Sequence, residues 1–365
     1  DCELMNPAAQ DLRSGGGDFC GAWANQSFGK ERPTTVLDNS LLSGWGARPS
    51  DWQFGASVQQ EIAPRVSVEV GYYRRWWNHF TPLTDNILTK PSDYDQFNLT
   101  APLDARLPGG GGYSVGPLYD IRPATGLVGQ FNNVIHNVED YGDYSRHADY
   151  IDIGITARLR NGLTLQGGTS TGRVAENTCA TVAGAPEFSG SLTTGATRPL
   201  AAAGATLVPY CDYKEPFSRT GVKGTGSYII PKVDVQIGGT FSSLPGVPLA
   251  ASVIVPTAFV SQSLGRPLAS NLPNITVNML PTGTVFGDRA NDLDLRLAKL
   301  FRFSRSRANV AFDVVNVFNA DAFLAYNPNI GRYTDTGAFV PNPSWPAPTQ
   351  VLQARLYRLS VQFDF

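Results

Sequence analysis

The chain has 365 residues, of which 42% are hydrophobic and only 16% charged, with a formal net charge of −2. That balance gives no electrostatic footprint for nucleic acid, and no apolar run approaches the ~20 residues of a membrane-spanning helix. The 37 glycines and 26 prolines speak for many turns and against a helical protein.

In chain order, residues 1–50 read as a loop region on the outer side, carrying Cys2 and Cys20. The other two cysteines, Cys179 and Cys211, also fall in a loop-like segment. Two local pairs without C-x-x-C spacing predict disulfides Cys2–Cys20 and Cys179–Cys211, and with them an oxidising compartment. Four unpaired thiols are the alternative. The three histidines, His79, His136 and His147, lack zinc-ligand spacing to any cysteine.

From residue 51 onward a period of two recurs. Trp52, Phe54, Ala56, Val58 and Ile62 alternate with Gln53, Gly55, Ser57, Gln59 and Glu61. Val66, Val68, Val70 and Tyr72 oppose Ser67, Glu69, Gly71 and Tyr73. The pattern predicts nine strands, at about 52–62, 66–80, 146–160, 163–175, 217–230, 233–244, 290–303, 307–318 and 354–365. Each has one apolar face, and many are longer than the ~5–6 residues usual in soluble sheets. The other face carries small residues and isolated charges. Glu69, Asp152, Arg158, Asp234, Asp294, Arg296 and Asp313 are expected to pair with one another there, which suits a wet lumen behind a lipid-facing wall.

Connections alternate in length. Ala63-Pro64-Arg65, Arg160-Asn161-Gly162-Leu163, Pro231-Lys232 and Ser304-Arg305-Ser306 are tight turns. The segments 81–145, 176–216, 245–289 and 319–353 are long. Short turns at one end and long loops at the other is the plan of an antiparallel transmembrane β-barrel. Residues 251–260 and 275–280 are candidates for further strands inside the long loops. A complete barrel of this kind has an even strand number. An odd count therefore predicts an incomplete C-terminal part, about 9–13 strands, of a larger barrel. The last strand places Tyr357, Leu359, Val361, Phe363 and Phe365 on one face, a pattern expected to be read by the outer-membrane barrel assembly machinery.

Among chemistry-bearing features, Tyr72–Phe80 (YYRRWWNHF) is the densest aromatic run. Trp76 reads as part of an interfacial aromatic girdle. Tyr73 and Trp77 fall on the polar face and are candidates for stacking on a ligand. Asp93, Asp95 and Asp104 suit either a calcium site or a solvated acidic loop. The run Gly109–Gly112 reads as a flexible loop, since no strand–helix context supports a phosphate cradle. No G-x-S-x-G, H-E-x-x-H or P-loop pattern occurs, so neither an enzyme nor a resident cofactor or metal is expected.

Four stretches, SGWGARPSDWQFGASVQQEIAPRVSVEVGYYRRWWNHF, LTAPLDARLPGGGGY with LYDI, SQSLGRPLASN, and FGDRANDLDLRLAKLFRFSRSRANVAFDVVNVFNA, carry a resemblance across about residues 40–365. They are similar to the C-terminal barrel half of large TonB-dependent receptor-like proteins, in a branch often bearing a carboxypeptidase-regulatory-like N-terminal domain. The resemblance implies a 22-stranded barrel with a plug, like the plugged transporters of that size. It also implies a bacterial outer-membrane location, energisation by the TonB complex through a plug not present in these residues, and uptake of a scarce nutrient. A passive porin-like channel and a secreted β-sandwich or adhesin-like module remain the alternatives.

Overall fold

The computed structural model describes residues 36–79, 83–128, 130, 132–160, 162–188, 206–303 and 306–365. The predicted Cys2–Cys20 pair lies outside them, as do residues 1–35 of the predicted leading loop. All nine predicted strands form. They are β1 (Ser50–Ala63), β2 (Val66–Asn78), β3 (Ser145–Arg158), β4 (Thr164–Asn177), β5 (Arg219–Ile230), β6 (Val235–Leu244), β7 (Ala290–Arg302), β8 (Arg307–Val315) and β9 (Leu356–Asp364). The chain is thus all-β in its main body, with a few short helices.

The nine strands pair antiparallel in sequence order, β1 to β9, with β1 and β9 at opposite edges. Among the described residues the sheet is open. A tenth short strand, Asp212–Lys214, extends the sheet beside the end of β4.

Register converts the alternation into two continuous surfaces. Across β1 to β4 one row runs Val58, Val70, Ile153, Thr169. Across β6 to β9 another row on the same face runs Ile237, Leu297, Phe312, Leu359. The strand period of two makes this all-or-none: a slip of one residue would turn a whole strand over. The apolar residues of this face stay exposed, Trp52 at 71%, Val58 at 72% and Leu359 at 72%. They are therefore not the core of this structure.

The tight turns follow from local chemistry. Pro64 pre-sets the first turn, and Arg65 takes a positive φ of 65°. The Glu61 carboxylate accepts a hydrogen bond from the Arg65 N–H at 2.8 Å. The connection predicted as Pro231-Lys232 is instead four residues, 231–234, because the register closes at Ile230 opposite Val235. Lys232 and Asp234 both hold positive φ, which takes Asp234 out of the strand and leaves it beside Arg302 at 3.1 Å.

The long connections are a larger departure. Predicted as loops, they fold together into a cap with its own core. The two candidate strands are real, Ser252–Pro256 and Asn274–Asn278, but they pair with each other outside the main sheet. They belong to a five-stranded sheet with Thr206–Leu207, Asn329–Tyr333 and Phe339–Pro341. The first candidate ends at Pro256, where a helix, Thr257–Leu264, begins. Val36–Leu37 also departs from the loop reading, pairing parallel with Val134 and Ile135.

Val253, Val255, Val260, Val277, Met279 and Leu280 are fully buried in the cap, packed with Phe97, Leu118 and Ile330 from other connections. Burying a large aliphatic side chain contributes about 1.5–3 kcal/mol, so this cluster holds the connections to one another. Polar ties cross it. Arg106 grips Asp104 at 2.6 and 2.9 Å and donates to the Asn342 carbonyl at 2.7 Å. Arg266 joins the helix end to Asp95 at 2.8 Å and to Asp120. The Tyr333 hydroxyl donates to the Thr100 carbonyl at 2.7 Å.

Two outcomes follow from this fold. A Cβ at Gly168 would run into the Ile153 carbonyl oxygen, whereas one at Gly154, its partner across the strands, would meet open space. Gly168→Ala is expected to cost at least ~2 kcal/mol and Gly154→Ala under ~1 kcal/mol in urea unfolding of the full chain. The Arg122 hydrogen bond, outweighing burial and aided by Arg266, holds the Asp95 carboxyl below its ordinary 3.8. Arg106 does the same for Asp104. Both groups stabilise the fold fully above 3.8 and lose that contribution as pH falls through their lowered values. The near-ultraviolet circular dichroism of the cap should hold to about pH 4 and decline below it, with a shallower decline in Arg106→Gln.

Candidate functional site

The face opposite the apolar one forms a hollow across β2 to β6. It is lined by Glu69 and Tyr73 of β2, Asp152 of β3, Gln166 and Ser170 of β4, Lys223 and Thr225 of β5, and Thr240 of β6. Register explains the assembly. Glu69, Gly154, Gly168 and Lys223 fall on one cross-strand line, and Gln166, Thr225 and Thr240 on the next. Gly168 admits the close strand approach at the floor, where any side chain would block it.

Tyr73 borders this hollow. Its ring lies over Gly71, where an added Cβ would stand 2.7 Å from it, and beside Gly55. Trp77 is not part of the hollow. It sits toward the cap end of the same face, with the Arg75 and Arg146 guanidinium groups 4.7 and 4.8 Å from its ring centroid. Arg75 in turn pairs with Asp51 at 2.9 Å, and Arg146 approaches Glu176 at 3.7 Å. The two candidates are thus separated. Tyr73 faces open space, and Trp77 is already engaged in a cation–π arrangement.

The expected charge pairing holds in only one region. Asp313, almost buried, takes Arg296 at 3.4 Å and Arg358 at 3.0 Å. The Asp294 carboxylate accepts instead from the Asn316 backbone N–H at 2.9 Å. In the hollow, Glu69, Asp152 and Lys223 have no ion-pair partner among the described residues, and Asp152 Oδ1 is buried without a hydrogen bond. The expectation fails there because the glycine-floored strands keep the carboxylates and the ammonium more than 4 Å apart. The arrangement offers two anions, one cation and a ring of hydroxyl and amide groups to a polar solute.

The other candidates resolve differently. Asp95 and Asp104 are engaged by arginines, so their charge is already answered. No cluster of three or more His, Cys, Asp or Glu able to hold a metal occurs among the described residues. The glycine run is a folded turn rather than a flexible loop. Its N–H groups are used internally, Gly110 to Leu107, Gly111 to Pro108 and Gly112 to Ala101. Cys179 and Cys211 form a disulfide, which pins the strand Asp212–Lys214 to the end of β4. Tyr357, Leu359, Val361, Phe363 and Phe365 all stand exposed on the apolar side. The cap and the unpaired carboxylates escaped sequence reasoning; the spacing of Glu69, Asp152 and Lys223 within their strands was the available signal.

No family model and no curated protein matches this chain. Among solved structures, the outer membrane transporter YddB from Escherichia coli is similar over 86% of this chain, at 12% sequence identity and a TM-score of 0.39. The match covers 32% of YddB, so the chain spans about a third of that protein's length.

The two aromatic candidates are expected to separate on substitution. Trp77→Leu removes a ring held by two guanidinium groups and should lower stability by about 1–2 kcal/mol in urea unfolding. Tyr73→Leu should cost under ~1 kcal/mol, because one edge of its ring faces the open hollow.

Proposed function

We propose that the nine-stranded sheet is an arc of a transmembrane β-barrel in the bacterial outer membrane, belonging to a TonB-dependent transporter that takes up a scarce nutrient. The observation that carries this reading is the exposed apolar face, broad on β1 to β3 and β6 to β9 and continued through Leu165 of β4 and Val222 and Tyr228 of β5. In water such a surface is costly, at roughly 25 cal/mol per Å². Against hydrocarbon it is satisfied. A secreted sandwich would bury the same face under a second sheet, and among the described residues no sheet covers it.

Strand length supports the reading. From Trp52 to Ile62 is a rise of about 33 Å, which at a tilt near 45° spans a bilayer core. Aromatic residues stand at both ends, Trp52, Trp76 and Tyr357 toward the cap, Phe301, Phe303, Phe363 and Phe365 toward the turns. In lipid the edges of β1 and β9 must be paired, by further strands or by another copy of this chain, to close a barrel. The resemblance in sequence adds the plug and the TonB complex as partners, and makes the row from Tyr357 to Phe365 the one offered to the assembly machinery. The cap and the hollow are then the outer vestibule and the inner wall past which a solute moves. No catalytic role is assigned.

Arginine scanning of the full chain tests this. Ile153→Arg, at mid-height on the apolar face, is expected to cost about 2–4 kcal/mol on folding into lipid vesicles. Thr225→Arg, on the polar face, should cost far less. Equal tolerance at both positions, or a full chain that stays monodisperse without detergent, would sink the membrane reading.

A further inference from the structure

The apolar face is interrupted at its cap end by charge. Arg74 of β2, Asp149 of β3 and Arg173 of β4 lie on one cross-strand line. They share the face of Trp76, Tyr72 and Ile151, not that of the hollow. Arg74 and Arg173 stand two strands apart, roughly 10 Å.

Asp149 is nearly buried and acts as an anchor. It accepts from the Tyr72 hydroxyl at 2.8 Å and pairs with Arg74 at 3.4 Å, with His147 at 3.8 Å. Arg173 has no carboxylate partner among the described residues. Its Nε and that of Arg74 are buried without hydrogen-bond partners. Each guanidinium lies near an aromatic ring, Arg74 4.8 Å from Trp76 and Arg173 5.9 Å from Phe217.

Counting Arg74 and Arg173 against Asp149 leaves one positive charge uncompensated, set in an aromatic belt at the rim of an apolar wall. We propose that Arg74 and Arg173 form a binding site for the phosphate of an anionic lipid headgroup in the leaflet at the cap end. The inference rests on the membrane reading above. Guanidinium groups match phosphate oxygens bidentately, and the acyl chains of the same lipid would run down the rows of Tyr72, Ile151 and Ile153. Asp149 keeps Arg74 turned toward the headgroup.

The experiment places the full chain in lipid nanodiscs containing equal phosphatidylglycerol and phosphatidylcholine, re-extracts it in mild detergent, and counts retained lipids by native mass spectrometry. The wild type should retain phosphatidylglycerol preferentially. The preference should fall about fivefold for each of Arg74→Gln and Arg173→Gln, and Arg307→Gln at the turn end should keep it. A chain that inserts normally yet shows no headgroup preference, or a double variant that keeps it, overturns the site while leaving the membrane reading intact. Loss of retention on adding millimolar inorganic phosphate would reveal a free-anion site and overturn the lipid assignment.

Discussion

Backbone pairing is the constraint on which everything else in this molecule depends. Each of the nine strands satisfies its N–H and C=O groups only through its neighbours. Those neighbours are set by sequence order, so the register passes from strand to strand without a break. Once it is set, the side-chain period of two sorts the chain into an apolar and a polar surface. No side-chain contact could do this over so wide a sheet, because the residues of each surface come from strands far apart in sequence.

The two ends of the sheet solve different problems. At one end the chain must reverse within a few residues, and proline or positive-φ positions such as Arg65 and Lys232 do this. At the other end it carries four long connections, which bury their apolar residues against one another rather than against the sheet. The molecule therefore contains two kinds of hydrophobic surface. That of the cap, around Val253, Val277 and Met279, is closed and dry. That of the sheet is open. A sandwich would bury both surfaces, whereas here, among the described residues, only one of the two is covered.

Most of the sheet was legible in the sequence, because alternation such as Val66-Ser67-Val68-Glu69-Val70 has one physical reading when it recurs nine times. The turn 231–234 was misjudged by two residues, since Val233 continues the apolar alternation although its neighbour Asp234 has left the strand. The cap was not legible. Its strands are mostly short, from two residues at Thr206–Leu207 to eight at Ser114–Ile121, and some of their partners lie in other connections, as Asn329–Tyr333 does for Ser252–Pro256. Local periodicity carries no information about such pairing. Of the candidate ligand aromatics, their face followed from alternation. That Trp77 is engaged by Arg146 depended on which strand lies alongside, and only the structure supplied that.

The cap has one more property, which comes from its construction. Its core draws Phe97 and Leu118 from the first long connection, Val253 to Leu280 from the third and Ile330 and Trp345 from the fourth. Contacts of such long sequence separation close late, because the loop entropy must be met before they form. The sheet strands between them hold the ends of each connection in place. A strand inserted in the wrong register would displace the roots of its loops by about 3.3 Å and leave that core unable to close. The cap core is thereby coupled in geometry to the register of the strands beneath it.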